Sequence, residues 1–226
     1  MSFITAYLND RLSARVEKAF LKSWRRELLK HVYGEVLEIG AGTGANIEHY
    51  SNQVTRLVLT EPDKHKRRIM EKKISGKGLD NVQISDCTAE QIRAEDESFD
   101  CVVAFIVFCC VSNPEIALEE IKRVLKPGGY FVFLEYVAAA EGTSIRRWQN
   151  RLNPIWRIVG DNLNRETEEA IITAGLKIKE ITRKSIPKTF PIYRSSIRGI
   201  AEKPNKRIQP DKPKTAPVVF NWTDSG

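Results

Sequence analysis

The chain lacks most of the features that would take it out of an aqueous, reducing setting. No apolar run approaches the ~20 residues that a membrane-spanning helix needs. The N-terminus has no apolar signal-peptide core, so neither a bilayer span nor a secretory route is expected. There are only four cysteines, Cys87, Cys101, Cys109 and Cys110, with no Cys-x-x-Cys spacing. That argues against a disulfide scaffold and for a reduced, cytoplasmic compartment. Histidine is scarcer still: His31, His49 and His65 stand singly, in no pocket-forming motif. No histidine or third thiol lies near Cys109 and Cys110, so no metal site is expected. Internal repeats are absent as well.

What is present begins with charge. The formal net charge is +7, and much of the excess lies in the first thirty residues and in the tail. A basic chain can meet nucleic acid, an anionic membrane or acidic substrates, or it can simply be soluble. Residues 1–34 read as an amphipathic helical segment. Phe3, Tyr7, Leu8, Leu12, Val16, Phe20, Trp24 and Leu28 recur at helical spacing, with Arg11, Arg15, Lys18, Lys22, Arg25 and Arg26 largely off that stripe. Two readings stay open. The segment packs on the domain, or it lies on an anionic lipid surface as a peripheral contact.

The centre of the sequence is Val36-Leu37-Glu38-Ile39-Gly40-Ala41-Gly42-Thr43-Gly44. Residues 35–39 read as a buried strand. Three glycines at alternate positions then predict a tight turn that residues with a Cβ resist. Asn46 is placed to cap a short helix, 46–50, whose start suits a polar or anionic group. Strand, glycine loop and helix together make a nucleotide-binding turn at the edge of an α/β sheet. Two cofactors fit the spacing. Gly40, Gly42 and Ala45 satisfy the dinucleotide pattern. Gly40, Gly42 and Gly44, with Glu38 two residues upstream, satisfy that of S-adenosyl-L-methionine (SAM). Glu38 favours the second, because a carboxylate attracts the ammonium of a methionine and repels a pyrophosphate.

Downstream the pattern alternates strand and helix, as a doubly wound parallel sheet requires. Strands are expected at 56–60, 82–85, 101–107 and 130–136, and helices at 64–75 and 115–125. Glu61-Pro62-Asp63 ends the second strand, where an acid takes the hydroxyls of a ribose and Asp63 caps the next helix. Asp86, Thr88 and Ala89 follow the third strand, at the edge where an adenine would lie. Residues 137–161 form an insertion carrying Trp148 and Trp156 among Arg146, Arg147, Arg151 and Arg157. Insertions at this edge commonly build the acceptor pocket, and aromatic walls would suit a hydrophobic small molecule. Asn164 reads as a helix cap before a helix at 166–174. Strands at 176–185 and 192–202 should form a terminal hairpin. Residues 203–226 are rich in Pro and Lys and read as a flexible tail with one apolar patch, Val218 to Trp222.

From Val36 to Tyr136 the chain resembles a class I SAM-dependent methyltransferase. The resemblance rests on VLEIGAGTG, Glu61-Pro62, the Ala89-Glu90 loop, Phe99-Asp100 and the helix ending RVLKPGG. It implies a single Rossmann-like α/β domain over residues 35–202, doubly wound on a seven-stranded sheet with a reversed C-terminal hairpin. GTGAN, CCVSN, FLEYVAAAEGT and GDNLNRET extend the likeness to thiol S-methyltransferases and their bacterial relatives, including enzymes labelled as quinone or phospholipid methylases. The resemblance implies that Glu38, Gly40, Ala41, Gly42, Gly44 and Asn46 hold the methionine end. It implies that Glu61 and Pro62 hold the ribose, with Asp86, Thr88 and Ala89 near the adenine and Phe105 or Val107 lining the methyl-donor pocket. The acceptor is expected to be a small, rather hydrophobic molecule, a thiol first, with a phospholipid or quinone at a membrane surface as the alternative and a SAM-binding scaffold as the non-enzyme one. A thiol is partly ionised near neutrality and needs no strong base. Tyr136 and Asp161, with Glu135, are the candidate proton-accepting residues at the mouth. A nucleic-acid substrate is not indicated, since no Asn-Pro-Pro-Tyr base-flipping motif occurs.

Overall fold

The computed structural model describes residues 21–186 and 189–205. Seven strands form one sheet in the order β3-β2-β1-β4-β5-β7-β6. They are β1 Gly34–Ile39, β2 Val54–Thr60, β3 Val82–Ser85, β4 Phe99–Phe105, β5 Leu125–Tyr136, β6 Lys177–Ser185 and β7 Ser195–Glu202. The first five run parallel. β7 inserts antiparallel between β5 and β6. The helices are α1 Lys22–Leu29, α2 Lys64–Ser75, α3 Pro114–Val124, α4 Ser144–Ile158 and α5 Thr167–Thr173. The expected single α/β domain with a reversed terminal hairpin is therefore the fold observed.

Burial follows the parallel topology. The central strand β4 is apolar and buried at nearly every position, as a strand covered on both faces must be. Phe99, Val102, Ala104, Phe131 and Phe133 pack under α3, with Leu118, Ile121 and Val124. Cys101, Val103, Val132 and Leu134 fill the other face, with Leu28 and Leu29 of α1. Each large side chain so enclosed contributes roughly 1.5–3 kcal/mol.

Helix boundaries trace to single residues. Asp63 accepts from the N–H groups of His65 and Lys66, which caps α2 as expected. Asn113 caps α3 through the N–H of Ile116, with Pro114 in the first turn. α3 stops at Val124 because Leu125 is already extended and Lys126 precedes a proline, which disfavours helix. The chain then enters β5 directly, and the register against β4 shifts between Phe99 and Cys101 to absorb Gly128 and Gly129.

Four local expectations change. The helix expected at 46–50 is a single 3-10 turn, Ile47–His49, and the Asn46 side chain makes no cap bond. Asn164 bonds Asn150 instead of capping α5, whose N-cap is Glu166. Pro191–Tyr193 is a 3-10 turn, so β7 begins at Ser195. Lys203, the first residue of the expected flexible tail, lies just past β7 and is held against β5. Its N–H donates to Gly129 O, its carbonyl accepts from Gly128 N, and its ammonium reaches Leu125 O at 2.6 Å.

α1 packs on the domain. Arg198 stacks 4.5 Å over Trp24, and Arg25 is buried beneath the helix. Residues 22–29 thus pack on the domain through Leu28, Leu29 and Trp24. The remainder of the expected N-terminal helix and the 206–226 tail, with its apolar patch, lie outside the described residues. Among those residues no helix is long and apolar enough to cross a membrane.

Candidate active site

The site assembles where the carboxyl ends of β1, β2, β4 and β5 meet. Gly40 and Gly42 both have positive φ, +61° and +59°, which side-chain-bearing residues rarely adopt. A Cβ on Gly40 would lie 2.9 Å from Val107 Cγ2, so the loop is clamped against the β4 exit. A Cβ on Gly42 would meet nothing within 4 Å. That open space beside a bare backbone is what close approach of a ligand requires. Ala41 is buried, and its N–H donates to Thr60 O at 2.8 Å. Gly44 N–H donates back to Ala41 O at 2.9 Å, closing the turn.

Glu38 is buried in a chain of polar contacts. Its Oε1 accepts from Asn46 Nδ2 at 2.9 Å and its Oε2 from the Tyr50 hydroxyl at 2.6 Å. Asn46 Oδ1 in turn accepts from Arg25 at 2.7 Å. Burial pushes the Glu38 carboxyl above its ordinary value, while Tyr50, Arg25 and Asn46 oppose that rise. Both carboxylate oxygens thus already hold protein donors, and the residue braces the loop from beneath. Arg25 also lies 5.5 Å from the centre of the Phe105 ring. Phe105 therefore packs toward α1, and Val107 is the residue against the glycine turn.

Glu61, also buried, spans from β2 to the loop. Its Oε2 accepts from Gly42 N–H at 3.0 Å and its Oε1 from Asp63 N–H at 2.9 Å. Pro62 is exposed, and its carbonyl accepts from Arg67. Beyond β3, Ala89 is buried and Thr88 exposed. Asp86 pairs with Arg93 and its side chain is 56% exposed. Its carboxylate therefore meets Arg93 at the surface, on the edge where the adenine contact is expected. The neighbouring Glu90, whose role the sequence does not reveal, accepts from the N–H groups of Ser112 and Asn113 and ties two edge loops together.

Glu135 was an expected base. It is fully buried, and its carboxylate accepts from Val107 N–H at 3.0 and 3.1 Å and Phe108 N–H at 3.1 Å. Desolvation holds its carboxyl well above the ordinary range. It is a brace for the loop after β4. That loop turns at Ile106, a β-branched residue at φ +61°, an unfavourable conformation that the surrounding packing must enforce.

The insertion closes the other side. Gln149 of α4 is fully buried: it accepts from Ala139 N–H at 2.8 Å and donates to Val137 O and Ile192 O. The expected aromatic walls do not form. Trp148 is exposed, and the indole N–H of Trp156 donates to the Tyr193 hydroxyl. In their place is a cleft of about 610 Å³ with a mainly polar lining that includes Cys110, Asn162, Arg157, Arg165, Glu115 and Glu166.

The candidate proton acceptors converge through a residue the sequence did not single out. Asp161 accepts from Asn162 N–H at 2.8 Å and from the Tyr193 hydroxyl at 3.2 Å, and the Tyr136 ring meets Tyr193 edge-on at 5.7 Å. Burial raises the Asp161 carboxyl and pushes the Tyr193 phenol above its ordinary value. The sequence gives Tyr193 no signal of this role, since it falls in a stretch whose pattern predicts strand and which folds as a 3-10 turn. Cys109, Cys110 and Asp161 form a cluster. Local spacing does not reveal this juxtaposition, because Asp161 arrives from the far end of the insertion.

Comparison with known proteins agrees with this geometry. A family model described as a methyltransferase domain matches residues 37–133. Human thiol S-methyltransferase TMT1A is 34% identical over 172 residues, covering 74% of this chain and 70% of that protein. Rat thiol S-methyltransferase TMT1B is 35% identical, with 71% and 70% covered. Phosphatidylethanolamine N-methyltransferase of Cereibacter sphaeroides is 31% identical, with 58% and 69% covered. Among solved structures, geranyl diphosphate methyltransferase in complex with SAM superposes with TM-score 0.69 at 15% identity, covering 84% of this chain and 90% of that one. The YcgJ protein of Bacillus subtilis gives TM-score 0.65 at 18% identity, with 81% and 99% covered. The bare backbone at Gly42, the buried acid Glu61 beside it and these relatives converge: the chain belongs to the class I methyltransferases that use S-adenosyl-L-methionine as methyl donor.

Proposed function

We propose that the protein transfers the methyl group of SAM to the sulfur of a small thiol that enters the cleft beside Cys110 and Asp161. One observation carries the choice of acceptor. Among the described residues lining that cleft there is no histidine and no lysine to act as a strong base. A thiol, with an ordinary pKa of about 8.5, already supplies some thiolate near neutrality. Its identity with two thiol S-methyltransferases over most of the chain supports the same reading.

When bound, SAM supplies an electrophilic methyl group on a positively charged sulfur. In this reading the glycine loop carries the amino-acid end, which the open face at Gly42 admits, and Glu61 takes the ribose. Glu38 and Glu135 act at one remove. The first fixes the loop through Asn46 and Tyr50, and the second holds residues 107 and 108 at the β4 exit. The protein's main task is then positioning and exclusion of water, which can supply much of the acceleration in a displacement of this kind. Arg157 and Arg165 at the cleft favour a thiol whose remainder is polar or anionic over a purely apolar one.

A second reading draws on α4. Trp148, Ile155 and Ile158 are exposed along it, beside Arg147 and Arg151. A lipid or quinone acceptor at an anionic membrane surface would suit that face. Purified protein with labelled SAM and a panel of alkyl thiols, quinols, amines and phospholipid vesicles separates the two. The proposal expects thioether products from soluble thiols without vesicles. Methylated lipid or quinone alone would overturn it.

A further inference from the structure

The loop leaving β4 carries two adjacent thiols. Cys109 is buried and Cys110 exposed, and their sulfurs are 3.6 Å apart. The Asp161 carboxylate joins them, with all three ligand atoms within 4.8 Å of one another. We propose that Cys109, Cys110 and Asp161 form a site for a thiophilic divalent cation, with Zn²⁺ as the fitting ion, open on its fourth side to the acceptor cleft.

Distance supports this directly. Two thiolates on one tetrahedral zinc, each at about 2.3 Å, stand roughly 3.8 Å apart. The observed separation needs almost no adjustment. The donor set of two sulfurs and one carboxylate belongs to zinc chemistry and not to that of magnesium or calcium.

The surroundings are built as an outer shell. Asn162 N–H and the Tyr193 hydroxyl hold the two Asp161 oxygens, and Trp156 donates to Tyr193 in turn. Asn162 Nδ2 donates to Cys109 O at 3.0 Å, which locks the segment carrying the acid to the loop carrying the thiols. Oriented carboxylates of this type are how proteins fix a metal ligand in place.

Among the described residues the cluster has no fourth ligand, and Cys110 and Asn162 face the cleft. Three protein ligands with one open position mark reactive zinc sites, whereas structural ones are closed. A thiol bound there would give its proton to solvent and sit as thiolate beside the donor. That consequence rests on the thiol reading above, whereas the cation site stands independently of it.

The test uses the full chain, reduced and stripped of metal with a chelator. It is titrated with Zn²⁺ against a chromophoric competitor, and with Co²⁺ to read thiolate-to-metal charge transfer. The expected result is one ion per chain with a two-thiolate band. Cys110→Ser should remove most of the band. Tyr193→Phe should keep the band and weaken binding by about 10–100-fold. Asp161→Asn should weaken binding further, and Cys87→Ser should change nothing. Circular dichroism of each variant confirms folding. No charge-transfer band, or Cys110→Ser and Asp161→Asn binding the ion as tightly as the parent, overturns the site. Adding a small alkyl thiol to the Co²⁺ form should enlarge the band by one thiolate; an unchanged band overturns the open position. Tight metal binding without thiol methylation would sink the thiol reading alone. Thiol methylation without metal binding would sink the site alone.

Discussion

Replacing Glu135 tests whether a buried acid holds the loop after β4. In Glu135→Ala two enclosed N–H donors, of Val107 and Phe108, lose their acceptor. Each orphaned buried donor costs about 1–3 kcal/mol, so the expected loss is roughly 2–6 kcal/mol before packing is counted. For a chain of this size each kcal/mol lowers Tm by about 2–4 °C. Glu135→Gln retains one acceptor oxygen and should lose less, on the order of 1 kcal/mol. The pH dependence gives an independent sign. Burial raises the Glu135 carboxyl in the folded state. The folded protein therefore binds a proton that the unfolded chain has released. Its contribution to stability is fully present below the ordinary glutamate pKa and is lost as pH rises through the raised value. Glu135→Gln should flatten that part of the profile. Thermal melts across a pH series measure both effects. A Glu135→Ala melt within about one degree of the parent, or an identical pH profile in Glu135→Gln, would refute the reasoning.

Three further outcomes follow from the same contacts. Asn46→Ala breaks the path from Arg25 to Glu38 and should weaken SAM binding about tenfold or more, read by calorimetry, because a bond to a charged partner contributes about 1.5–3 kcal/mol. Cys110 is the exposed thiol, and its contact with Cys109 sets its pKa below the ordinary value, whereas Cys87, Cys101 and Cys109 are buried. Iodoacetamide should therefore label Cys110 first, as peptide mass mapping would show, and Zn²⁺ should protect it. Tyr50→Phe removes a donor from Glu38; it should raise the Glu38 carboxyl further and reduce SAM affinity more at high pH than at low pH.

The sheet was legible in the sequence because its signals are local. The helix at 64–75 and the strand at 82–85 occur at the boundaries expected, since Asp63 caps the first and apolar residues define the second. The glycine turn was equally plain, as its conformation is written in three residues. What the sequence hid is contact between distant segments. Arg25 reads as a surface cation on an amphipathic stripe, yet it is buried against Asn46 and Phe105. Asp86 reads as an acid at the adenine edge, and nothing local shows that Arg93 pairs with it. Trp148 and Trp156 read as pocket walls, but which way a helix in an insertion turns its face depends on anchors such as Gln149. No local period encodes the meeting of Cys109 with Asp161.

The measurement that bears most directly on the whole account is calorimetric titration of SAM into the parent protein and into Gly42→Val, with NADH as the control ligand. The account predicts one SAM per chain in the parent, no binding of NADH, and no detectable SAM binding in Gly42→Val. The added side chain would project into the space left open beside the loop. Gly42→Val binding SAM as tightly as the parent, while remaining folded, would contradict it.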